Sequence, residues 1–319
     1  MKHRVIFRAV LMFTWFFTSV SVAQDGAVML SRPKTDIAPS NFSIAAAQEE
    51  FVMRPSVLTS SLSPYGTGPQ RYDTFASCAL GPSGPVVPNC NITIRWNARA
   101  NSGGHMHNTN RPPGIFLTQY GVSDGSTSPG PPGSVTDSSQ ASGVLGLTYT
   151  APEASGVIDL TLTGVATVGG QTLTFGPSSF AFGVRFEGLQ FAIVPGLQVH
   201  TVSDMHGNNN GYATPDTILS LGVMTQGFAR FLSLKNLPVP ILEIPAISLP
   251  EGGLFDDSVE WTPPHVSHRF GNDVDILTPP LTNQQRRALE IARRAAGFTT
   301  PVRAESSANP GASHWHLRL

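Results

Sequence analysis

Two short runs near the end of the sequence hold side chains that can do chemistry together. The first is His265-Val266-Ser267-His268-Arg269-Phe270-Gly271-Asn272-Asp273-Val274-Asp275, and the second is His314-Trp315-His316. Zinc takes imidazole nitrogen and carboxylate oxygen as ligands, and a catalytic zinc site keeps three protein ligands with water in the fourth position. His314 and His316 are two residues apart, so on a strand both project from one face. Between His268 and Asp275 the pair Gly271-Asn272 offers a turn, so His268 can leave a loop while Asp275 sits on the strand that follows. Side by side, the two strands would gather His268, Asp275 and His316 around one ion. His314 would stand beside it, free to act as a base or to hold the attacking water. The chemistry expected is hydrolysis by a metal-activated water, with one Zn2+ per chain as cofactor.

His-x-His alone is a weak signal, and His-x6-Asp is weaker. The two in order, separated by one amphipathic helix, are much more specific. Asp273 would share the strand face of Asp275, where it orients a ligand histidine or is a surface carboxylate. Glu305 is a candidate general base by reach, with a solvated loop residue as the alternative. His105-Met106-His107 follows Ser102-Gly103-Gly104 with no acidic or cysteine partner nearby; a polar loop competes there with a second metal site. His200 and His206, in a loop with Asn208-Asn209-Asn210-Gly211-Tyr212, are placed to line a substrate cleft. No nucleophile elbow, P-loop or dinucleotide fingerprint occurs.

Ser248-Leu249-Pro250-Glu251-Gly252-Gly253-Leu254-Phe255, then His265 to Ile276, then Ser313 to Leu319, together resemble the penicillin-insensitive murein endopeptidases. That family's pattern is M-P-x-G-G, H-x-S-H-x-x-G-x-D-V-D and a late H-x-H-V-R-L, and it belongs with the lysostaphin-type enzymes, D-alanyl-D-alanine peptidases and the hedgehog domain. The hedgehog domain is similar at Ala296-Gly297-Phe298, Glu305-Ser306 and His314-Trp315-His316 as well. The likeness covers residues 246 to 319. It implies zinc ligands His268, Asp275 and His316, a catalytic or water-positioning role for His314, and His265 near the metal. It also implies a substrate class, the D-amino-acid-containing peptide cross-links of peptidoglycan. Two positions depart from the pattern. Ala246 stands where the murein family has Asp, and Glu305 lies nine residues before His314 where the hedgehog glutamate lies four before its motif.

The elements that must position these groups are legible in part. Thr214 and Pro215 read as the N-cap and first position of a helix running to about Leu232. Thr282-Asn283-Gln284-Gln285 fits a capping box, Leu289, Ala292 and Ala296 line one face, and Gly297 closes that helix. Short strands are expected at Val239–Ile244, Asp273–Leu277 and His314–Leu319, making 187–319 an α+β domain with a small antiparallel sheet, zinc-peptidase-like by the resemblance. Residues 67–186 read as strands: Asn91–Trp96, Val157–Thr163, Gln171–Phe175 and Ser179–Phe186 alternate apolar and polar residues between turns, which argues for an antiparallel sandwich. Tyr149-Thr150-Ala151-Pro152 before a strand is similar to a turn of bacterial immunoglobulin-like domains, so the sandwich is expected to be immunoglobulin-like. Residues 24–66 show no sustained period and read as a linker or extended arm, with an amphipathic turn around Ala45 to Val52.

Composition bounds the partners. The chain has 20 basic and 21 acidic residues in 319, so no charge excess points to nucleic acid. It has 31 glycines and 27 prolines, against a usual combined share of about 12%, which favours strands joined by turns over a helical protein. Lys2, His3, Arg4 and Arg8, then an apolar run from Ala9 to Val22 ending Ser21-Val22-Ala23, have the layout of a secretory signal peptide at 1–23. The run is too short for an ordinary membrane-spanning helix, so the mature chain is expected in the periplasm or outside the cell with no transmembrane anchor; the alternative is an uncleaved anchor. In that compartment Cys78 and Cys90, the only cysteines, are expected to form a disulfide. The function expected is a secreted zinc metallopeptidase acting on peptidoglycan or another extracellular peptide. The alternative is a binding or adhesion protein with a structural or vestigial zinc site, closed by a fourth ligand such as His265.

Overall fold

The computed structural model describes residues 27–31, 51–58, 67–80, 85–104, 110–121, 123–126, 132–199, 210–255, 268–299, 302–304 and 313–319. Residues 1–23, read above as a signal peptide, and His105, His107, His200, His206, His265 and Glu305 lie outside these residues. Among the described residues, the first part of the chain contributes strands β1 (Ala27–Ser31), β2 (Phe51–Met53), β3 (Arg71–Ala79), β4 (Asn91–Ala98), β5 (Gly114–Thr118), β6 (Ser123–Ser126), β7 (Gly133–Ser138), β8 (Val144–Thr150), β9 (Gly156–Val168) and β10 (Gln171–Val184). They form two sheets, ordered β1-β3-β8-β5-β6 and β2-β10-β9-β4-β7. One core lies between them. Ala76, Leu145, Leu147 and Tyr149 from the first sheet meet Ile92, Ile94, Trp96, Leu160 and Leu162 from the second. A chain of aromatic rings crosses this core: Trp96 on Phe116, Phe116 on Tyr149 and Tyr149 on Phe182, with centroids 4.8, 4.8 and 5.0 Å apart. Tilted and edge-on contacts of this kind suit the ring quadrupole. Cys78 and Cys90 are joined by a disulfide with Cα atoms 6.3 Å apart.

Three sequence expectations are revised in this part. Within 24–66, read as a linker or arm, β1 pairs with β3 and β2 pairs with β10, so the arm supplies an edge strand to each sheet. The second of these pairs is parallel, so the sandwich is not wholly antiparallel. The two strands expected at 171–175 and 179–186 are one strand, β10, whose register against β9 shifts between Phe175 and Ser178. A bulge at Gly176-Pro177 joins the two segments, at a place where proline has no ladder donor to offer.

The second part has β11 (Gln190–Phe191), β12 (Leu197–Val199), β13 (Tyr212–Ala213), α1 (Pro215–Leu234), β14 (Leu242–Ile244), β15 (Asp273–Leu277), α2 (Asn283–Ala295), β16 (Val302–Ala304) and β17 (His314–Arg318). The Thr214 side chain caps α1, and Thr282 and Gln285 form the reciprocal capping box of α2. α1 buries Thr217, Leu221, Met224, Phe228 and Leu232, a stripe at helical spacing. That stripe packs with Ala288, Leu289 and Ala292 of α2 and with Val274, Ile276, Trp315 and Leu317 of the sheet β15-β17-β16. The sheet thus gives one face to the helices. The strand expected from Val239 starts only at Leu242, where its pairing with Leu197 of β12 begins, and Val239 and Ile241 are exposed.

The two parts meet along the segment Glu251–Leu254. The Ser155 hydroxyl donates to the Glu251 and Gly252 carbonyls at 3.0 and 2.7 Å. Leu254 N–H donates to the Glu153 carbonyl at 2.9 Å, and Phe186 N–H donates to the Glu251 carbonyl at 2.9 Å. Gly253, at φ 79°, lies so close that a Cβ would sit 2.2 Å from the Ser155 hydroxyl. Val57, Phe186 and Phe270 close the seam as a small separate core.

Candidate metal centre

β15 and β17 run antiparallel, with Asp275 opposite His316, Asp273 opposite Arg318 and Leu277 opposite His314. Because strand side chains alternate, Asp273, Asp275, His314, His316 and Arg318 all project from the face turned away from the helices. The apolar residues between them fix this register: a slip by one would put Val274, Ile276, Trp315 and Leu317 on the polar face.

His268 arrives from the other side. It occupies the left-handed region at φ 62°, and Gly271 follows at φ 73°. The Gly271 carbonyl accepts from Thr214 N–H at 3.0 Å, which ties the turn to the start of α1. A Cβ on Gly271 would meet Leu189 at 2.6 Å and the Ala213 Cα at 3.0 Å, so glycine is required there.

Donor atoms of His268, Asp275 and His316 all lie within 4.8 Å of one another. Nδ1–H of His268 donates to the Ile247 carbonyl at 2.8 Å, because a carbonyl only accepts. That bond places a proton on Nδ1 and turns Nε2 toward Asp275 Oδ2 at 3.2 Å. His316 turns Nδ1 toward Asp275 Oδ1 at 2.8 Å and Nε2 toward Asp273 Oδ1 at 3.3 Å. The two histidines therefore converge on one carboxylate, and each has its other nitrogen engaged by an oxygen. Metal-binding histidines show that arrangement, and two imidazoles with one carboxylate are a catalytic zinc complement. The residues present thus fit the ion. Nε2 of His268, a carboxylate oxygen of Asp275 and Nδ1 of His316 would hold it, with Asp273 orienting His316.

The charges explain how two carboxylates stand buried at alternate positions of one strand, Asp273 wholly and Asp275 nearly so. Burial raises the pKa of Asp275, but the His268 charge and hydrogen bonds from His268 and His316 outweigh it and hold the carboxyl well below the usual range. Asp273 is likewise lowered: burial opposes ionisation, and hydrogen bonds from His316 and Arg318 overcome it. Burial lowers the pKa of His316, yet its hydrogen bonds to Asp273 and Asp275 prevail and raise it to about 9. A buried carboxylate costs several kcal/mol unless paired, and this face pairs both.

The chain matches no known protein family and no curated protein.

His314 lies at the rim. Its Nε2 is 3.3 Å from Asp275 Oδ2, and its side chain is 24% exposed against 1% for His268. It is outside the group of mutually close donors. Some contributors had no readable signature. The carbonyls of Ala246 and Ile247 accept from Asp275 N–H and from His268, and backbone acceptors leave no mark in residue types. Ala246 therefore contributes a carbonyl where the resembling family has an Asp side chain. The run 245–247 is held by Asn210, which donates from Nδ2 to the Pro245 carbonyl and accepts from Ile247 N–H. Arg318 Nε donates to Asp273 Oδ1; its place two residues after His316 was the available clue.

Proposed function

We propose that this chain is a secreted zinc metallopeptidase that hydrolyses peptide bonds, with peptidoglycan cross-links as its substrate class. The observation that carries the reading is the convergence of His268 Nε2 and His316 Nδ1 on the Asp275 carboxylate, each histidine oriented from behind by an oxygen. Bound there, zinc supplies Lewis acidity and makes water nucleophilic near neutral pH. The chain's own residues supply the rest. Asp275 adds negative charge that draws in a cation, and Asp273 keeps a proton on His316 Nε2 so that Nδ1 faces the site. His314, rim-exposed beside Asp275, takes the proton of the attacking water on Nε2 and returns it to the leaving amine. The substrate class and the zinc-peptidase-like fold rest on the sequence resemblance at 246–319. The immunoglobulin-like reading of the sandwich rests on the turn at Tyr149. The N-terminal leader pattern and the Cys78–Cys90 disulfide support export to the periplasm or beyond. Among the described residues no helix is long and apolar enough to cross a membrane.

The test is zinc content and digestion of muropeptides followed by mass. Wild type should hold about one zinc per chain, and His314→Ala should keep the zinc and lose hydrolysis. Intact hydrolysis in His314→Ala would overturn its role, and a zinc-loaded wild type inert on all muropeptides would overturn the substrate class.

A second reading has one observation in its favour. His314 Nε2 stands as near Asp275 Oδ2 as His268 does, so a small movement would make it a fourth ligand. The site would then be closed and structural, in a binding or adhesion protein. Loss of zinc from His314→Ala would select that reading.

A further inference from the structure

The residue that follows the metal-facing histidine reaches back into the sandwich. Arg269 is 1% exposed, and its Nη1 meets Oε1 of Glu153, which lies 116 residues earlier and is 13% exposed at its side chain. Glu153 is anchored in turn, because its Oε1 also accepts from Leu58 N–H at 3.0 Å. The backbone around the pair is stitched as well. The Arg269 carbonyl accepts from Gly253 N–H at 3.0 Å, and the Glu153 carbonyl accepts from Leu254 N–H at 2.9 Å. Phe270, one residue on, stacks edge-to-face on Phe186 at 5.0 Å.

His268 itself is held in the left-handed conformation at φ 62°. A non-glycine residue stays there only where its surroundings over-determine it. On one side its ring is fixed by the Ile247 carbonyl. On the other, the chain is fixed by Arg269 and Phe270, both gripped by sandwich residues. We infer that Glu153 is a positioning residue for the metal centre: through Arg269 it holds His268 in the conformation that turns Nε2 toward Asp275. The inference rests on the metal-centre reading and gives the sandwich a task in it.

Charge and burial favour this over a plain structural tie. Arg269 is nearly fully buried, so removal of the Glu153 carboxylate takes a charged partner from a cation that lies out of water. The simplest relief is for the 268–270 turn to move outward, and that movement carries Nε2 of His268 with it.

The experiment is zinc affinity of the purified chain by competition with a chromophoric chelator, read beside the melting temperature, for wild type, Glu153→Ala, Glu153→Gln and Tyr149→Phe. Tyr149 is a sandwich residue whose buried hydroxyl donates to the Pro113 carbonyl, so Tyr149→Phe removes a sandwich hydrogen bond that involves neither Glu153 nor Arg269. Glu153→Ala should bind zinc roughly 10- to 100-fold more weakly, the usual loss when a group behind a ligand is removed. Glu153→Gln, which keeps an acceptor oxygen, should lose less. Tyr149→Phe should melt lower and bind zinc as wild type does. If Glu153→Ala does not fold, Glu153→Gln decides: several-fold weaker binding supports the role. Wild-type affinity in the folded Glu153 variants overturns it, and so does an equal loss in Tyr149→Phe. A wild type that takes up no zinc removes the metal centre and this role together; unaltered variants beside a zinc-binding wild type remove only the positioning role.

Discussion

Asp275 Oδ1 stands 2.8 Å from Nδ1 of His316, its direct partner across the β15–β17 ladder. With the His316 pKa raised to about 9 by its hydrogen bonds to Asp273 and Asp275, a proton belongs on that line near neutral pH, and a metal ion would have to replace it. His316 keeps its proton up to about pH 9. A raised pKa stabilises the metal-free chain fully below the unfolded value near 6.5, and that contribution fades as pH rises through about 9. Zinc affinity runs the opposite way and should rise roughly tenfold per pH unit across the neutral range, because each binding event expels the proton. Calorimetry at pH 7 in two buffers of different ionisation enthalpy should give about one proton released per zinc. No release would mean that His316 does not ligate through Nδ1.

Asp273 and Asp275 should separate cleanly when substituted. Asp275→Ala removes a donor to the ion and should abolish tight zinc binding. Asp273→Asn keeps the shape beside Arg318 but loses the charge behind His316, so zinc affinity should fall roughly 10- to 100-fold. The titration of His316, followed by NMR, should move down in the same variant, because Asp273 is one of the two groups holding it up. An unchanged His316 titration would show that Asp273 serves the fold alone.

The disulfide closes a 12-residue separation between β3 and the start of β4. The double variant Cys78→Ser, Cys90→Ser should lose roughly 2–4 kcal/mol by urea unfolding, since a loop of this size restricts the unfolded chain by about that much. Zinc affinity should stay as in wild type, because the pair lies in the sandwich core and away from Glu153. A loss of zinc without a loss of stability would contradict both statements.

The sequence was most legible where a period met a cap. Thr214-Pro215 and Thr282 to Gln285 marked both helix starts, and α1 runs two residues beyond the expected Leu232. The His314/His316 and Asp273/Asp275 pairs were readable because a two-residue spacing puts both members on one strand face. β3 was unreadable for an opposite reason. Thr74 is buried while Phe75 is 40% exposed, so its polarity runs against its orientation. β1 and β2 gave no period, because each is a short edge strand defined by a distant partner: Phe51 pairs with Phe182. The grip of Glu153 on Arg269 was invisible for the same reason, since a buried ion pair between distant loops has no spacing to betray it.

That pair also constrains how the protein can change over generations. A carboxylate at 153 and a guanidinium at 269 meet at the seam, largely shielded from water, so a change at one position bears on the other. Loss of one charge takes a partner from the other, and a matched second substitution restores the balance. The sandwich and the half that carries His268 should therefore pass through evolution as one piece. In related chains residues 153 and 269 should alter together, and a recombinant that joins halves from two divergent lineages should fail at this seam even when each half is sound.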